Sequence, residues 1–196
     1  MRAARSALAA LVVLAACGDG EGLAPAGARD LDGQLIAAAY DNRVDRARAL
    51  IADGADVNAK DATEQSAYLI ATSEVGDDPA LLELTLRSGA DVDAKDSYDG
   101  TGLIRAAERG FPRIVRRLLV TPIALDHVNR LGWTALLEAI ILGEGGPRHI
   151  ETVRLIVTAG ADVELADAGG VTPLAHAERR GFDAIAAILR RAGAGG

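Results

Sequence analysis

The sequence predicts an all-α solenoid of about five helix-turn-helix units joined by β-turn or hairpin loops. The phrase Gly-Ala-Asp-Val recurs, beginning at Gly54, Gly89 and Gly160. The first two copies start 35 residues apart and the third starts 71 residues later, which is close to two periods. A degenerate copy lies between the second and third copies, at Pro122–Asp126. Self-similarity at this period indicates a stack of helical repeats.

Composition excludes several classes of protein. The chain has 196 residues, of which 49% are hydrophobic and 25% are charged, as in soluble globular proteins. Its formal net charge of -7 argues against nucleic-acid binding, which needs a basic surface. No apolar run reaches the roughly 18 residues of a membrane-spanning helix. Cys17 is the single cysteine, so no internal disulfide can form.

The N-terminus is typical of a secretory signal peptide, which we place at residues 1–16. Arg2 and Arg5 supply a positive region, and Ala7–Ala16 form an apolar stretch of ten residues. This stretch is too short to cross a bilayer. Such a segment is removed from the mature protein and does not belong to the fold.

The end of this segment, Leu14-Ala15-Ala16-Cys17, resembles the lipobox of bacterial lipoproteins. The resemblance implies cleavage before Cys17 and a thioether-linked lipid on its sulfur. We therefore expect a protein in the cell envelope, lipid-anchored and facing the periplasm or the cell exterior. The alternative is an ordinary apolar helix with an incidental buried cysteine. Residues 17–30, rich in Gly, Ala and acidic side chains, are predicted to be a flexible tether about 20 Å long.

The remaining residues resemble the ankyrin-repeat family, whose unit opens its inner helix with Thr-Pro-Leu-His. The matching tetrapeptides begin at Thr101, Thr134 and Thr172, and a weaker one begins at Ser66. The family's histidine is absent from every copy, so we expect apolar packing in its place. The resemblance implies five units, at 31–61, 62–96, 97–130, 131–167 and 168–196. One unit cannot bury its apolar face alone, so stability depends on stacking.

Units two and four are longer than the others. The additional residues of unit four are Glu144–Arg148, between its two helices. Their Gly and Pro content predicts a projecting loop. Insertions of this kind often lie on the binding face of a solenoid.

The sequence carries no motif typical of catalysis, cofactor binding or a metal site. His127, His149 and His176 lie in different units and lack metal-ligand spacing. No Gly-rich segment is followed by the lysine of a phosphate-binding loop. We expect a non-catalytic protein without cofactor or metal.

The ankyrin resemblance implies a protein partner that binds the turn tips and inner helices. Unit three is basic, with six basic and three acidic residues, whereas units one and two are acidic. Such a distribution can steer a complementary partner. Counting along each inner helix from the tetrapeptide gives a row of positions that face a groove. The candidate partner-binding residues at units three and four are Arg105, Arg109, Trp133, Glu138, Ile141 and Leu142.

Two of these candidates are apolar where most units carry polar residues. Either the inserted loop covers Ile141 and Leu142, or they form an apolar contact patch. Two other functions stay open: a structural spacer, or an enzyme or small-ligand sensor with a site under the unit-four insertion. That site would lie near Asp126, His127, Trp133 and Glu138. We expect a monomer that contacts the membrane only through its lipid.

Overall fold

The computed structural model describes residues 30–195. The predicted signal peptide, the lipidation site Cys17 and the tether up to residue 29 lie outside the described residues. In the described part the chain forms ten α-helices, none of them long and apolar enough to cross a membrane. The helices are α1 (Leu31–Tyr40), α2 (Val44–Ala52), α3 (Ala67–Ser73), α4 (Ala80–Arg87), α5 (Gly102–Glu108), α6 (Pro112–Leu118), α7 (Ala135–Ile141), α8 (Pro147–Thr158), α9 (Pro173–Arg179) and α10 (Asp183–Arg191).

The ten helices form five antiparallel pairs, one for each predicted unit. The odd-numbered inner helices stack on one another in chain order, from α1 to α9. The even-numbered outer helices form a second layer, in which α8 packs against both α6 and α10. The prediction of an all-α solenoid of five units is confirmed.

Four of the five inner helices, α3, α5, α7 and α9, begin at the tetrapeptides because a hydroxyl caps each one. Ser66, Thr101, Thr134 and Thr172 each accept a hydrogen bond from the backbone N–H three residues later. A side-chain cap of this type stabilises a helix by about 1 kcal/mol. The Ser or Thr that opens each tetrapeptide therefore has a direct structural role.

Each of units two to five begins with a hairpin turn organised by one Asp or Asn side chain. The Oδ1 atom of this residue accepts the backbone N–H groups two and four positions later. Its own backbone N–H donates to the carbonyl four positions later. The residues in this position are Asp61, Asp96, Asn129 and Asp167. These bonds satisfy the turn internally, so the turn tip can project from the helices.

The core lies between the two helical layers. It includes the third tetrapeptide residue of units two to five and the equivalent residue of unit one, and these side chains are at most 4% exposed. They are Leu35, Tyr68, Leu103, Leu136 and Leu174. Where the family has histidine, Leu69, Ile104 and Leu137 are buried apolar residues, as expected from the sequence.

The predicted loop at 144–148 is wrong in its second half. Helix α8 begins at Pro147 and is twelve residues long, so Pro147 and Arg148 form its first turn. Proline suits this position because its fixed φ is already helical and its missing N–H would have had no intrahelical partner. The insertion therefore lengthens an outer helix and leaves only a short connection after Ile141.

Candidate functional site

The inner-helix face has a small depression where units three and four meet, here called the junction pocket. Its walls are the hairpin turns around Asp96 and Asn129, together with helices α5 and α7. Its volume is about 130 Å³. Both turns and both helices are fixed by the caps and turn bonds described above. The pocket is therefore a rigid feature of the stacked repeats.

Exposed apolar side chains surround the junction pocket. Tyr98 is 62% exposed, Leu131 46% and Leu142 48%, and all three line it. They are half of the six large apolar side chains that are exposed in residues 30–195. Scattered exposed apolar residues need no explanation, but a cluster around a depression is a candidate binding surface.

Glu138 lines the inside of this pocket and is only 4% exposed. Its Oε1 atom accepts a hydrogen bond of 2.7 Å from the side-chain amide of Asn129. Its Oε2 atom is buried and has no hydrogen-bond partner. The pKa of Glu138 is raised to about 7, mainly by burial, which the Asn129 hydrogen bond partly offsets, and to a smaller extent by the negative charges of Glu108 and Asp96. The pocket thus contains a carboxyl group with one unused oxygen.

Arg105 is less accessible than the sequence suggested, because a polar network holds its side chain at 12% exposure. Its guanidinium donates to Asp96 over 2.7 Å and to the hydroxyl of Ser73 over 2.7 Å. It also donates to Gln65 and Glu74, which belong to unit two. Arg105 therefore ties unit three to unit two, whatever contact it makes with a partner.

Arg105 and Glu138 occupy equivalent positions, each nine residues after the side chain that organises its hairpin turn. His176 has the same position in unit five, and its Nε2 lies 2.8 Å from Oδ2 of Asp167. The backbone N–H of Val171 and this histidine hold the pKa of Asp167 below its usual range. His176 is partly buried against its own turn. The nine-residue spacing is present in the sequence, but spacing alone does not show that the two side chains pair.

Arg109 is 46% exposed and lies beside a second depression, here called the insertion pocket. This depression has a volume of about 400 Å³ and is bordered by the start of α8. Glu108 and Leu142 line both pockets, so the two form one continuous surface. The ion pairs of Arg109 with Glu74 and Glu108 are long, at 3.8 and 4.0 Å, and leave its guanidinium accessible.

The two apolar candidates of unit four differ in environment. The carbonyl of Ile141 accepts a hydrogen bond from Arg180, whose guanidinium also donates to the Gly143 carbonyl. Arg180 in turn stacks over the Phe182 ring at 4.7 Å. Arg180 of unit five therefore contacts the backbone at Ile141, and Ile141 is partly buried. Leu142 remains exposed, as expected for a contact patch.

Trp133 is partly buried and lines neither pocket. Its backbone N–H donates to Oδ1 of Asn129, and its carbonyl accepts the Asn129 N–H. Its backbone thus closes the hairpin turn that forms one wall of the junction pocket. The structure brings Arg105, Arg109, Glu138 and Leu142 to one surface, with Ile141 and Trp133 at its margins.

The residues of the alternative site do not converge. His127 bonds the Asp99 carbonyl over 2.7 Å, and Asp126 accepts the backbone N–H of Asp162. Both contacts join the loops that follow successive outer helices. Within residues 30–195 no group of three or more His, Cys, Asp or Glu side chains is placed to hold a metal ion.

Stacked helix pairs with hairpin turns and an exposed inner face define a helical-repeat protein. A family model for ankyrin repeats, in three copies, matches residues 68–167 and 103–195, and a single-repeat model matches residues 35–62. The chain therefore belongs to the ankyrin-repeat family.

Similar proteins include bacterial members of this family. The ankyrin repeat protein YahD of Escherichia coli (strain K12) is 42% identical over 148 residues, which are 75% of this chain and 73% of YahD. A solved ankyrin repeat domain from Acinetobacter baumannii AYE is 46% identical, with a TM-score of 0.77, and covers 82% of this chain and 81% of its own. Another solved ankyrin repeat protein is 33% identical, with a TM-score of 0.75, over 80% of this chain and 79% of its own. None of these names states a catalytic role.

Proposed function

We propose that this chain is a non-catalytic interaction module whose protein partner binds the surface formed by the junction and insertion pockets. Ankyrin repeats are typically protein–protein interaction modules. The observation that carries the assignment to this surface is the ring of exposed Tyr98, Leu131 and Leu142 around a rigid depression. Apolar anchors of this kind, bordered by charged residues, are typical of the energetic centre of an interface.

Substitutions in this surface are expected to weaken binding. We expect Arg109→Ala and Leu142→Ala each to raise the Kd at least tenfold, or about 1.4 kcal/mol, because both side chains line the surface. Arg113→Ala is the matched control, because Arg113 lines a depression between the outer helices α4 and α6. It is expected to change the Kd less than about threefold, since exposed charges outside an interface affect mainly the association rate.

The partner for this measurement is obtained by crosslinking the full chain in a membrane fraction and purifying what it captures. Each variant is first compared with the wild type by circular dichroism and urea unfolding. If Arg113→Ala proves the most sensitive variant, the partner binds the outer helices and the assignment fails.

We further propose that the protein is lipid-anchored on the extracytoplasmic side through Cys17. The support is the lipobox-like sequence at residues 14–17 after a short apolar stretch. Cys17→Ser is expected to abolish lipidation and to move the protein from the membrane to the soluble fraction. Intact-mass spectrometry and membrane partitioning measure the two effects. Equal mass and equal membrane retention in the variant, apart from the serine substitution, would contradict the anchor.

A small-ligand sensor is the second candidate, because the insertion pocket reaches the size of small-molecule sites, about 300–1,000 Å³. Its histidine is already engaged. His149 Nε2 lies 3.0 Å from the Glu108 carbonyl oxygen, and Nδ1 lies 3.4 Å from the Glu144 amide nitrogen. Nε2 thus joins unit four to the backbone of unit three, and Nδ1 holds the backbone of its own unit. Because both ring nitrogens are occupied, the pocket favours protein binding over chemistry.

A further inference from the structure

The junction pocket carries more negative than positive charge. Three carboxyl groups line it, those of Asp96, Glu108 and Glu138, together with one guanidinium, that of Arg105. Asp96 and Glu108 act on Glu138 as like charges, so the potential at Glu138 favours a cation. A partner group that enters this pocket is therefore selected for positive charge.

Only one of these carboxyl groups lies deep in the pocket with an unused oxygen. Asp96 Oδ1 accepts two backbone N–H groups, and its Oδ2 accepts from Arg105. Glu138 Oε1 accepts from Asn129, whereas its Oε2 is buried without a partner. Buried polar atoms in native proteins are almost always hydrogen-bonded, so an orphan oxygen needs an explanation. A donor supplied by the binding partner would complete this group.

The size of the pocket restricts what can enter. A volume of about 130 Å³ is well below the roughly 300 Å³ at which small-molecule sites begin, and it suits a single side chain. One free acceptor atom matches the compact ammonium of lysine, whereas guanidinium groups favour two parallel acceptors. Leu131 and Leu142 offer apolar surface along which the methylene groups of a lysine can pack.

We propose that the junction pocket accepts one lysine side chain of the protein partner, whose ammonium group pairs with Oε2 of Glu138. The methylene groups lie against Leu131 and Leu142, and rotation of these exposed side chains opens the way to the carboxylate. This assignment rests on the proposed function, in which a protein partner binds the surface formed by the junction and insertion pockets. It adds the chemistry of the partner, a lysine flanked by apolar residues.

The test uses the full-length protein and N-acetylated synthetic tripeptide amides, in which only the central side chain can be positively charged, at pH 8, above the raised pKa of Glu138. The central residue is lysine, arginine or the uncharged norleucine, between two leucines. Binding is followed by NMR through the carboxyl carbon of Glu138 and the methyl groups of Leu131 and Leu142. The lysine peptide is expected to shift all three sets of signals and to bind about tenfold more tightly than the norleucine peptide.

Glu138→Gln keeps an acceptor for Asn129 but removes the charge. We expect it to weaken the lysine peptide about tenfold and to leave the norleucine peptide unchanged. Glu83→Gln is the matched control, because Glu83 is on α4 and pairs with Arg87 outside the pocket. It should have no effect on either peptide. If Glu138→Gln alters the fold, the comparison of the lysine, arginine and norleucine peptides on the wild-type protein still tests the proposal.

The outcomes separate this inference from the proposed function. Equal binding of the lysine and norleucine peptides, with shifts at Leu131 and Leu142, would overturn the lysine pairing. The junction pocket would then still be a binding surface. Equal or tighter binding of the arginine peptide would overturn the choice of lysine. If no peptide shifts any of these signals, the lysine pairing falls. The capture experiment with Arg109→Ala then decides separately whether the surface binds a protein.

Discussion

Gly102→Ala is expected to lower the free energy of unfolding by about 2 kcal/mol, although alanine is the better helix former. A Cβ atom at Gly102 would lie 2.5 Å from the Tyr68 hydroxyl oxygen and 3.0 Å from Cγ2 of Thr72. Both neighbours are completely buried and cannot move into solvent. The steric cost therefore exceeds the roughly 0.4–1 kcal/mol that replacing glycine can contribute through the unfolded chain.

The cause of this clash is a tyrosine in a position where the other units have leucine. Tyr68 reaches from unit two toward unit three, and its hydroxyl donates to the Val92 carbonyl over 3.1 Å. Tyr68→Leu alone should also destabilise the protein, because it leaves a cavity. The double variant should be more stable than the sum of the two single costs predicts, since each change relieves the other.

Urea unfolding of the four proteins measures this coupling. Gly146→Ala is the matched control, because a Cβ there meets no atom within 4 Å. It is expected to cost only about 0.5 kcal/mol, as the loss of a glycine cap. Strictly additive costs for Tyr68→Leu and Gly102→Ala would contradict the proposed contact.

Much of the fold could be predicted from the sequence because its determinants are local. The capping hydroxyls, such as Thr134, and the helix-ending glycines, such as Gly89 with φ +87°, act within a few residues of chain. They repeat with the period of the units, so the pattern identifies each helix pair. The predicted loop at 144–148 is wrong at Pro147 because proline, which interrupts a helix interior, here occupies the first turn of α8.

The candidate site was only partly predictable, because it depends on how two units stack. Arg109 and Leu142 were singled out from their helix positions. Tyr98 and Leu131 could not be predicted as site residues, because each is a single apolar residue in a polar turn. Only the stacking of units three and four brings the two side chains to the same pocket. The burial of Glu138 also could not be predicted, because Asn129 and the neighbouring helix α5 enclose it. The sequence signal for the pairing of Glu138 with Asn129 is their nine-residue spacing, which Arg105 and Asp96 share.

The carboxyl group of Glu138 makes the stability of the free protein depend on pH. Burial raises its pKa from 4.5 to about 7 in the folded chain. Between these values the folded protein binds more protons than the unfolded chain, so stability falls as the pH rises. The effect is complete once the pH exceeds the folded-state pKa. This is opposite in direction to the usual behaviour of a carboxylate that is stabilised by a salt bridge.

Glu138→Gln is therefore expected to lose this pH dependence and to become more stable, relative to the wild type, as the pH rises. Each unit of pKa difference corresponds to about 1.4 kcal/mol, so the relative gain between pH 4.5 and pH 8 should be about 2–3 kcal/mol. Urea unfolding at several pH values measures the difference between the two proteins, in which the other titrating groups cancel. The control is Glu178→Gln, a change to an exposed carboxylate on α9, whose curve should run parallel to the wild type. A Glu138→Gln curve that is also parallel to the wild type would show that Glu138 ionises as readily in the folded protein as in the unfolded chain.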